Sequence, residues 1–360
     1  MNKRITILHL AKELNLTAAT ISRSLNNHPR ISEGTKKLVK DLAKKLNYRH
    51  NKLASSLRSG KTHTIGVIIP SAEINFFGSV VHGIESIANT NGYHILLYQS
   101  NESPKYEIKA IEAFIGVKVD GILASIAKET VDFSHYLEIK NRNIPLVFFD
   151  RSKDSLNIPS VVIDDFRGAY IATEHLIEQG YKRFAHISGQ QHLKIFKDRL
   201  EGFRAALQDH NCEIDETLFY NGDVSIEAGK KAMDYFFSLP QPPDAIFSVE
   251  DFTALGALKA AKEKGIRVPE DLGIIGFANE SFCEHITPGL SSIDQQTVQM
   301  GTEAFKLLLE LINDSTKLIK KSKIVLEPIP YFRESSAKPK ERNKKIKVKK
   351  VFGIVQKIAQ

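Results

Sequence analysis

The chain contains no tryptophan and only two cysteines, Cys212 and Cys283, in 360 residues. Two thiols without metal-ligand spacing exclude a disulfide framework and a structural zinc site, and they read as small apolar side chains. No apolar run approaches the roughly 18 residues that a membrane-spanning helix needs. The start, Met1-Asn2-Lys3-Arg4-Ile5-Thr6, is positive, but no apolar stretch or small-residue cleavage site follows it. No export signal is therefore expected, and the expected compartment is the cytoplasm. Also missing are a Gly-x-Gly-x-x-Gly turn after a strand and a Gly-x-x-x-x-Gly-Lys-Ser/Thr loop, two common cradles for cofactor and nucleotide phosphates. No nucleophile with a paired base stands out. These gaps weigh against a Rossmann-like enzyme, against a cofactor or metal, and against an exported solute-binding protein.

What is present is an ordinary globular balance, 42% apolar and 26% charged, with room for two or three domains. The net charge of +8 is unevenly spread. Residues 1–61 hold 14 Lys/Arg against 3 Asp/Glu, and residues 338–350 hold 8 against 1. The stretch between them is acidic. A basic head on an acidic body confines contact with a polyanion to one part of the molecule.

The basic head carries a helical pattern. Ile7, Leu10, Ala11 and Leu14 fall at i, i+3, i+4 and i+7, one buried stripe, with Thr6 placed to cap its start. Asn15 stands where the chain must turn, since Asn tolerates left-handed backbone. Thr17 is a good N-cap for a second helix, Ala18 to Leu25, in which Ile21 and Leu25 face inward and Ala18, Ala19, Ser22 and Arg23 outward. Ser32-Glu33-Gly34-Thr35 starts a third helix, with Leu38, Leu42 or Val39, and Leu46 on one face. The pattern is a helix-turn-helix, whose second helix enters the major groove of DNA.

Residues 5–60 resemble the head of the lac-repressor (LacI/GalR) family. The match runs through Leu16-Thr17-Ala18-Ala19-Thr20-Ile21-Ser22-Arg23-Ser24-Leu25-Asn26, Arg30-Ile31-Ser32, Leu46-Asn47-Tyr48 and Asn51-Lys52-Leu53-Ala54-Ser55-Ser56-Leu57-Arg58-Ser59-Gly60. The resemblance implies phosphate contacts at Thr17, Thr20, Ser22 and Asn26, which fix register but carry no sequence information. It places Ala18, Ala19 and Arg23 against the bases, where Arg can bond guanine bidentately and alanine can only pack on thymine methyls. Thr6 and Arg30 join the implied DNA-contacting set. Residues 51–58 would form a hinge helix too short to stand alone in water, with Asn51, Ala54 and Leu57 toward the minor groove and Leu57 as a wedge between base pairs. His50 stands where the family usually has proline, so the hinge entry lacks proline's fixed backbone.

From Thr64 onward apolar strands alternate with amphipathic helices. Strands are expected at Ile65–Pro70, His94–Gln99, Gly121–Ser125, Pro145–Asp150, Val161–Asp164, Phe184–Ser188, Ala245–Val249, Leu272–Phe277 and Ile324–Glu327. Helices are expected at 77–91, 105–117, 167–179, 198–211, 225–238, 251–264 and 297–312. The near-continuous apolar strands suit parallel sheets covered on both faces. The alternation predicts two doubly wound α/β sets divided near residue 160. Ligands of such sheets bind beyond the carboxyl ends of the strands; Phe76, Phe77, Asp150, Arg151, Glu250, Asp251 and Asn279 follow strands, and Arg199 opens the helix at 198–211.

The resemblance continues to about residue 333 as a periplasmic-binding-protein-like effector domain. It is carried by Arg199-Leu200-Glu201-Gly202-Phe203, Asp251-Phe252-Thr253-Ala254-Leu255-Gly256 and Val268-Pro269-Glu270-Asp271-Leu272-Gly273-Ile274-Ile275-Gly276-Phe277. It implies ligand contacts at Phe76, Phe77, Asp150, Ile195, Arg199, Asp251, Asn279 and Gln295. A donor fork from Arg and an acceptor pair from Asp suit sugars and similar polyols. Two departures stand out. Ala278 replaces the acidic residue common after Gly-Phe, and Val224 stands where a pocket tryptophan is frequent.

The expected organisation is thus an all-α DNA-binding head and hinge over 1–60, a two-subdomain α/β ligand-binding and dimerisation body over 61–335, and a basic tail over 336–360. The expected partners are an operator on double-stranded DNA, a small sugar-like effector and a second copy of the chain. The resemblance implies a transcription regulator, most simply a repressor.

Overall fold

The computed structural model describes residues 5–48, 61–313 and 323–338. The expected hinge, with Asn51, Ala54 and Leu57, and the tail beyond Lys338 lie outside the described residues. The chain forms two units, residues 1–62 and 63–360.

The first unit has three helices, α1 (Ile7–Glu13), α2 (Ala18–Leu25) and α3 (Glu33–Lys45). Each runs into an asparagine with left-handed backbone, Asn15, Asn27 and Asn47. After each of those asparagines the next amide turns back to a carbonyl inside the helix: Leu16 to Ala11, His28 to Arg23, and Tyr48 to Ala43. This is the C-terminal closure that Asn can adopt in place of Gly. Leu10, Ala11, Ile21, Val39 and Ala43 form the buried centre, with Leu14, Leu16, Leu25, Leu42 and Leu46 packed against it. Leu38, expected on that face, is 61% exposed. The stripe on α3 runs Val39, Leu42, Ala43 and Leu46, the i, i+3, i+4, i+7 set, and Leu38 falls off it by one residue.

The second unit holds two parallel sheets. The larger contains β1 (Thr64–Ile69), β2 (His94–Gln99), β3 (Gly121–Ala124), β4 (Leu146–Phe149), β5 (Ser160–Ile163) and β11 (Lys323–Leu326), in the order β11-β5-β4-β3-β1-β2. The smaller contains β6 (Phe184–Ser188), β7 (Phe219–Asn221), β8 (Ala245–Ser248) and β9 (Gly273–Ile275), in the order β7-β6-β8-β9. A short antiparallel pair, β10 (Ser292–Asp294) and β12 (Ile329–Tyr331), accompanies them. The helices are α4 (Asn75–Thr90), α5 (Pro104–Val117), α6 (Ser134–Asn141), α7 (Asp165–Glu178), α8 (Lys194–Asp209), α9 (Ile226–Ser238), α10 (Asp251–Glu263) and α11 (Thr297–Asn313).

Strand alternation sorts side chains to the two faces of each sheet. In the larger sheet Ile65, Val67, Leu123, Val147 and Phe149 join one cluster, and Ile68, Ile122, Ala124, Leu146 and Phe148 another. The smaller sheet divides likewise, with Phe184, Ala245 and Phe247 against Ala185, Ile187 and Ile246. The edge strand β2 departs from the expected two-sided cover: Leu96 and Leu97 are 40% and 49% exposed.

The division near residue 160 also needs correction. Residues after 160 do not all belong to the second half. Helix α11 packs on α4, and β11 pairs with β5 in the first sheet. The chain therefore passes between the halves near Asp164, Gln295 and Glu327. At the α4–α11 crossing the backbones touch: a methyl group at Gly83 would run into the Val298 carbonyl, and one at Gly301 into the Val80 carbonyl. Every strand and helix expected from Thr64 onward forms. The short β7, β10, β12 and α6 were not expected, and α8 starts at Lys194 rather than 198. Its N-cap, Leu193, offers no side-chain acceptor, so no capping signal marks the true start.

Candidate nucleic-acid interface and candidate ligand cleft

In the head, Thr17 closes the start of α2, its Oγ1 accepting the Thr20 amide at 3.1 Å and lying 2.9 Å from the Thr20 hydroxyl. Thr6 does the same for α1 through His9: its amide donates to Nδ1 at 3.1 Å. The exposed side of α2 is then Ala19, Arg23 and Asn26, with Ala18 and Thr20 half-buried beside them. Arg30 is exposed beyond the end of α2. Neither the Arg23 nor the Arg30 guanidinium has a partner among the described residues. Ser22, expected to face outward, is instead buried at 8% exposure. It follows the core residue Ile21 and sits three before Leu25, so it lies on the flank of the helix that meets the core. A small hydroxyl fits there, and Arg could not.

In the body, loops after the strands of both sheets enclose a cavity of about 370 Å³, the position where open α/β sheets hold ligands. Of the eight expected ligand residues, Phe76, Phe77, Asp150, Ile195, Arg199 and Gln295 line it. Asp150 has left-handed backbone immediately after β4. Its carboxylate accepts from Ser125 Oγ at 3.3 Å and lies 3.8 Å from Arg151 Nε. Burial raises its pKa, opposed by Arg151 and Arg199.

Arg199, expected to open its helix, sits in the second turn of α8 and is 3% exposed. Its Nε donates to Asp165 Oδ1 at 2.8 Å, and Nη1 to the Val249 carbonyl at 2.5 Å. The guanidinium lies 3.7 Å from the centre of the Phe277 ring. Burial pushes the Asp165 pKa up to about 7 against the pull of Arg199. Arg199 therefore ties three elements of the second half together at the cavity wall.

Asp251 and Asn279 turn aside. Asp251 is fully buried behind the wall, where its carboxylate accepts the Glu280 amide at 2.8 Å and the Ser292 hydroxyl at 2.7 Å; burial raises its pKa to about 7. Asn279 donates to Asp294 at 2.9 Å and accepts from Arg333 at 2.8 Å. Their neighbours face the cavity instead: Glu250, Ala278 and Glu280. An Asp at a helix start and an Asn at a strand end look alike in sequence whether they serve a ligand or the frame. The side toward which the backbone turns separates them, and Ala278 at φ 118° is where it turns.

The halves are also bridged across the cleft. Glu280 of the second half faces the Phe76 amide and the Asn75 side chain at the start of α4, which pull its pKa down against the rise that burial causes. His192 Nε2 lies 2.6 Å from the Lys128 carbonyl, and Lys128 Nζ lies 3.3 Å from Asp223.

The model for bacterial regulatory proteins of the lacI family matches residues 6–51, and that for the periplasmic binding protein-like domain matches residues 173–336. Catabolite control protein A of Staphylococcus xylosus is 34% identical over 313 residues, 86% of this chain and 93% of that protein. The chain belongs to the lacI family. The HTH-type transcriptional repressor CytR of Escherichia coli (strain K12) is 33% identical over 305 residues, covering 85% of this chain and 89% of that protein. Among solved structures, a transcriptional regulator CelR–cellobiose complex superposes with a TM-score of 0.69 at 28% identity, over 92% of this chain and all of that one, 100%. As a lacI-family member the chain is a DNA-binding transcription regulator with a helix-turn-helix head and an α/β effector body. Among the described residues no helix is long and apolar enough to cross a membrane.

Several cavity residues of this lacI-family chain were missed in the sequence. Phe196 lies three before Arg199 on the same face of α8, and a correct helix start would have revealed it. Glu280 and Phe252 carried no separate signal.

Proposed function

We propose that the chain acts as a homodimeric repressor, in the cytoplasm and without catalysis, whose grip on a pseudo-palindromic operator is set by a polyhydroxy metabolite, a sugar or sugar derivative, in the cleft. The observation that carries this reading is that the cavity is walled by both halves, which are also joined through the His192–Lys128 and Lys128–Asp223 contacts. A ligand touched by both halves acts directly on their relative position, and a difference in affinity between two arrangements is what shifts an equilibrium. The cellobiose in the CelR complex supports a sugar as the class.

Dimerisation is supported by two apolar surfaces on the body. One is the open edge of β2 with Leu96 and Leu97. The other is a groove of about 450 Å³ lined by Leu255, Leu258, Ile286 and Pro288. A two-fold dimer presents two heads to a two-fold site. In each head Arg23 reads guanine, Ala18 and Ala19 pack on thymine methyls, and Thr6, Thr17, Thr20, Asn26 and Arg30 hold the phosphates. Ser22 supports α2 from its buried flank. Asn51, Ala54 and Leu57 couple cleft to operator by ordering or melting between the two subunits.

The test is a DNA mobility-shift assay of the full chain against genomic fragments at fixed salt. Retention of a defined pseudo-palindrome is expected, and lack of sequence-specific retention refutes the reading. Leu57→Ala should weaken operator binding far more than non-specific binding; an equal loss removes the wedge role.

A further inference from the structure

We propose that the cleft admits uncharged or amino-bearing polyols and turns away sugar acids and sugar phosphates, with Glu250 and Glu280 setting that choice. This rests on reading the cleft as the effector site.

An anion entering a pocket of this kind needs an unspent guanidinium or ammonium, or an uncapped helix N-terminus. The cavity offers little of either: the start of α8, where Ile195 and Phe196 reach the wall, lacks a side-chain cap, and Arg151 keeps Nε unpaired among the described residues. The cavity's two arginines are otherwise paired: Arg199 with Asp165, and Arg151 with Glu102 at 2.7 Å. No lysine lines it. Two helix N-termini that open on it are filled from within the protein. Glu250 caps α10, accepting the Phe252 amide at 2.9 Å and the Thr253 amide at 2.8 Å. The Glu280 carboxylate lies toward the first-turn Phe76 amide of α4, whose pull lowers its pKa. A third, that of α9, is capped by Ser225, which accepts the Ala228 amide at 3.1 Å.

The remaining charge is negative. Asp150, Glu250 and Glu280 line the cavity, with Glu73 exposed at its rim. Burial raises the pKa of the first three, which means that each gains from a nearby positive charge or a donated hydrogen bond. A carboxylate or phosphate placed among them would meet repulsion and find those three helix sites occupied. Hydroxyl groups can donate to these carboxylates, and an ammonium group can do so with charge assistance. Arg151 Nε is buried without a hydrogen-bond partner among the described residues and lies 3.8 Å from Asp150 Oδ2. Donor and acceptor side by side suit a pair of neighbouring hydroxyls. Phe76, Phe77 and Phe196 offer the apolar faces on which a sugar ring can lie.

The experiment uses the full chain and matched probes: glucose, galactose and mannose, each with its 2-amino, uronate and 6-phosphate derivative. Thermal shift and operator release are both read. For at least one skeleton the neutral or amino member should raise the melting temperature and change operator affinity, while its uronate and phosphate bind at least about tenfold more weakly, a difference of about 1.4 kcal/mol. Glu280→Gln and Glu250→Gln, which keep shape and one acceptor, should narrow that gap. Tighter binding of the uronate or phosphate than of its neutral parent overturns the proposal and leaves the effector site standing. A panel in which no skeleton binds overturns the sugar reading, and this proposal with it.

Discussion

The head and the body treat their arginines in opposite ways. In the head, Arg23 and Arg30 are exposed and unpaired among the described residues. In the body, Arg151 and Arg199 are largely buried and tied to Glu102 and Asp165. A long polyanion is met by cations left free at the surface, where each phosphate contact releases counterions. A small ligand is met by groups already held in place, so that little ordering remains to be done on binding. The same residue type thus serves a surface that must stay uncommitted and a pocket that must be pre-set.

The largest expected effect tests the committed side. Arg199→Ala strands Asp165 inside the protein, and removing one partner of a buried pair costs about 3–5 kcal/mol. Chemical denaturation should show that loss together with loss of effector response. An unchanged body stability would mean that Arg199 is as free as its counterparts in the head. Next comes the uncommitted side. Arg23→Ala should weaken operator binding by about 1–3 kcal/mol, the worth of one bidentate base contact, and leave the melting temperature where it was. A matching fall in stability would show that Arg23 is spent inside the head after all. Thr17→Ala removes the acceptor for the Thr20 amide and should lower head stability by about 1 kcal/mol, read by hydrogen exchange on α2.

A further test of the body concerns pH. Asp251 has a pKa near 7 in the fold, against 3.8 when exposed. The folded state therefore holds more protons between those values, and this group's contribution to stability, complete below about pH 4, is lost as pH rises through about 7. Buried His186, held at about 3 against 6.5, acts in the opposite sense: it is destabilising below about pH 6.5 and neutral above. Asp251→Asn should flatten the decline in melting temperature from about pH 5 to about pH 8. An unaltered slope would place the proton elsewhere.

The three helices over residues 5–48 were legible from sequence because their signals are local. Capping threonine and serine, the terminal asparagines and a 3.6-residue stripe all act within one or two turns. Ser22 and Leu38 were misplaced by one step of helical phase, where side-chain size and not pattern decides which flank is buried. The strands of the body were legible for a related reason, as apolar runs between turns. What escaped was whatever depends on distant partners. The return of α11 and β11 to the first sheet is fixed by glycine contacts and by pairing across 160 residues of chain, visible as β5 beside β11. At the cleft, Asp251 and Glu250 are adjacent and both acidic, yet one braces the wall and the other faces the cavity. Only the backbone path at the start of α10 distinguishes them.

The three crossings between the halves have a consequence for how the protein is made. The first sheet, although it begins at residue 64, lacks an edge strand and a covering helix until residues 297–326 have been synthesised. Domains made early usually fold early, but this half is complete only once residue 326 has been made. A premature stop between α10 and α11 would spare every strand of the second sheet except where β9 is lost, and would cripple the first. Loss of residues 297–326 thus falls on the half whose first strand starts at residue 64.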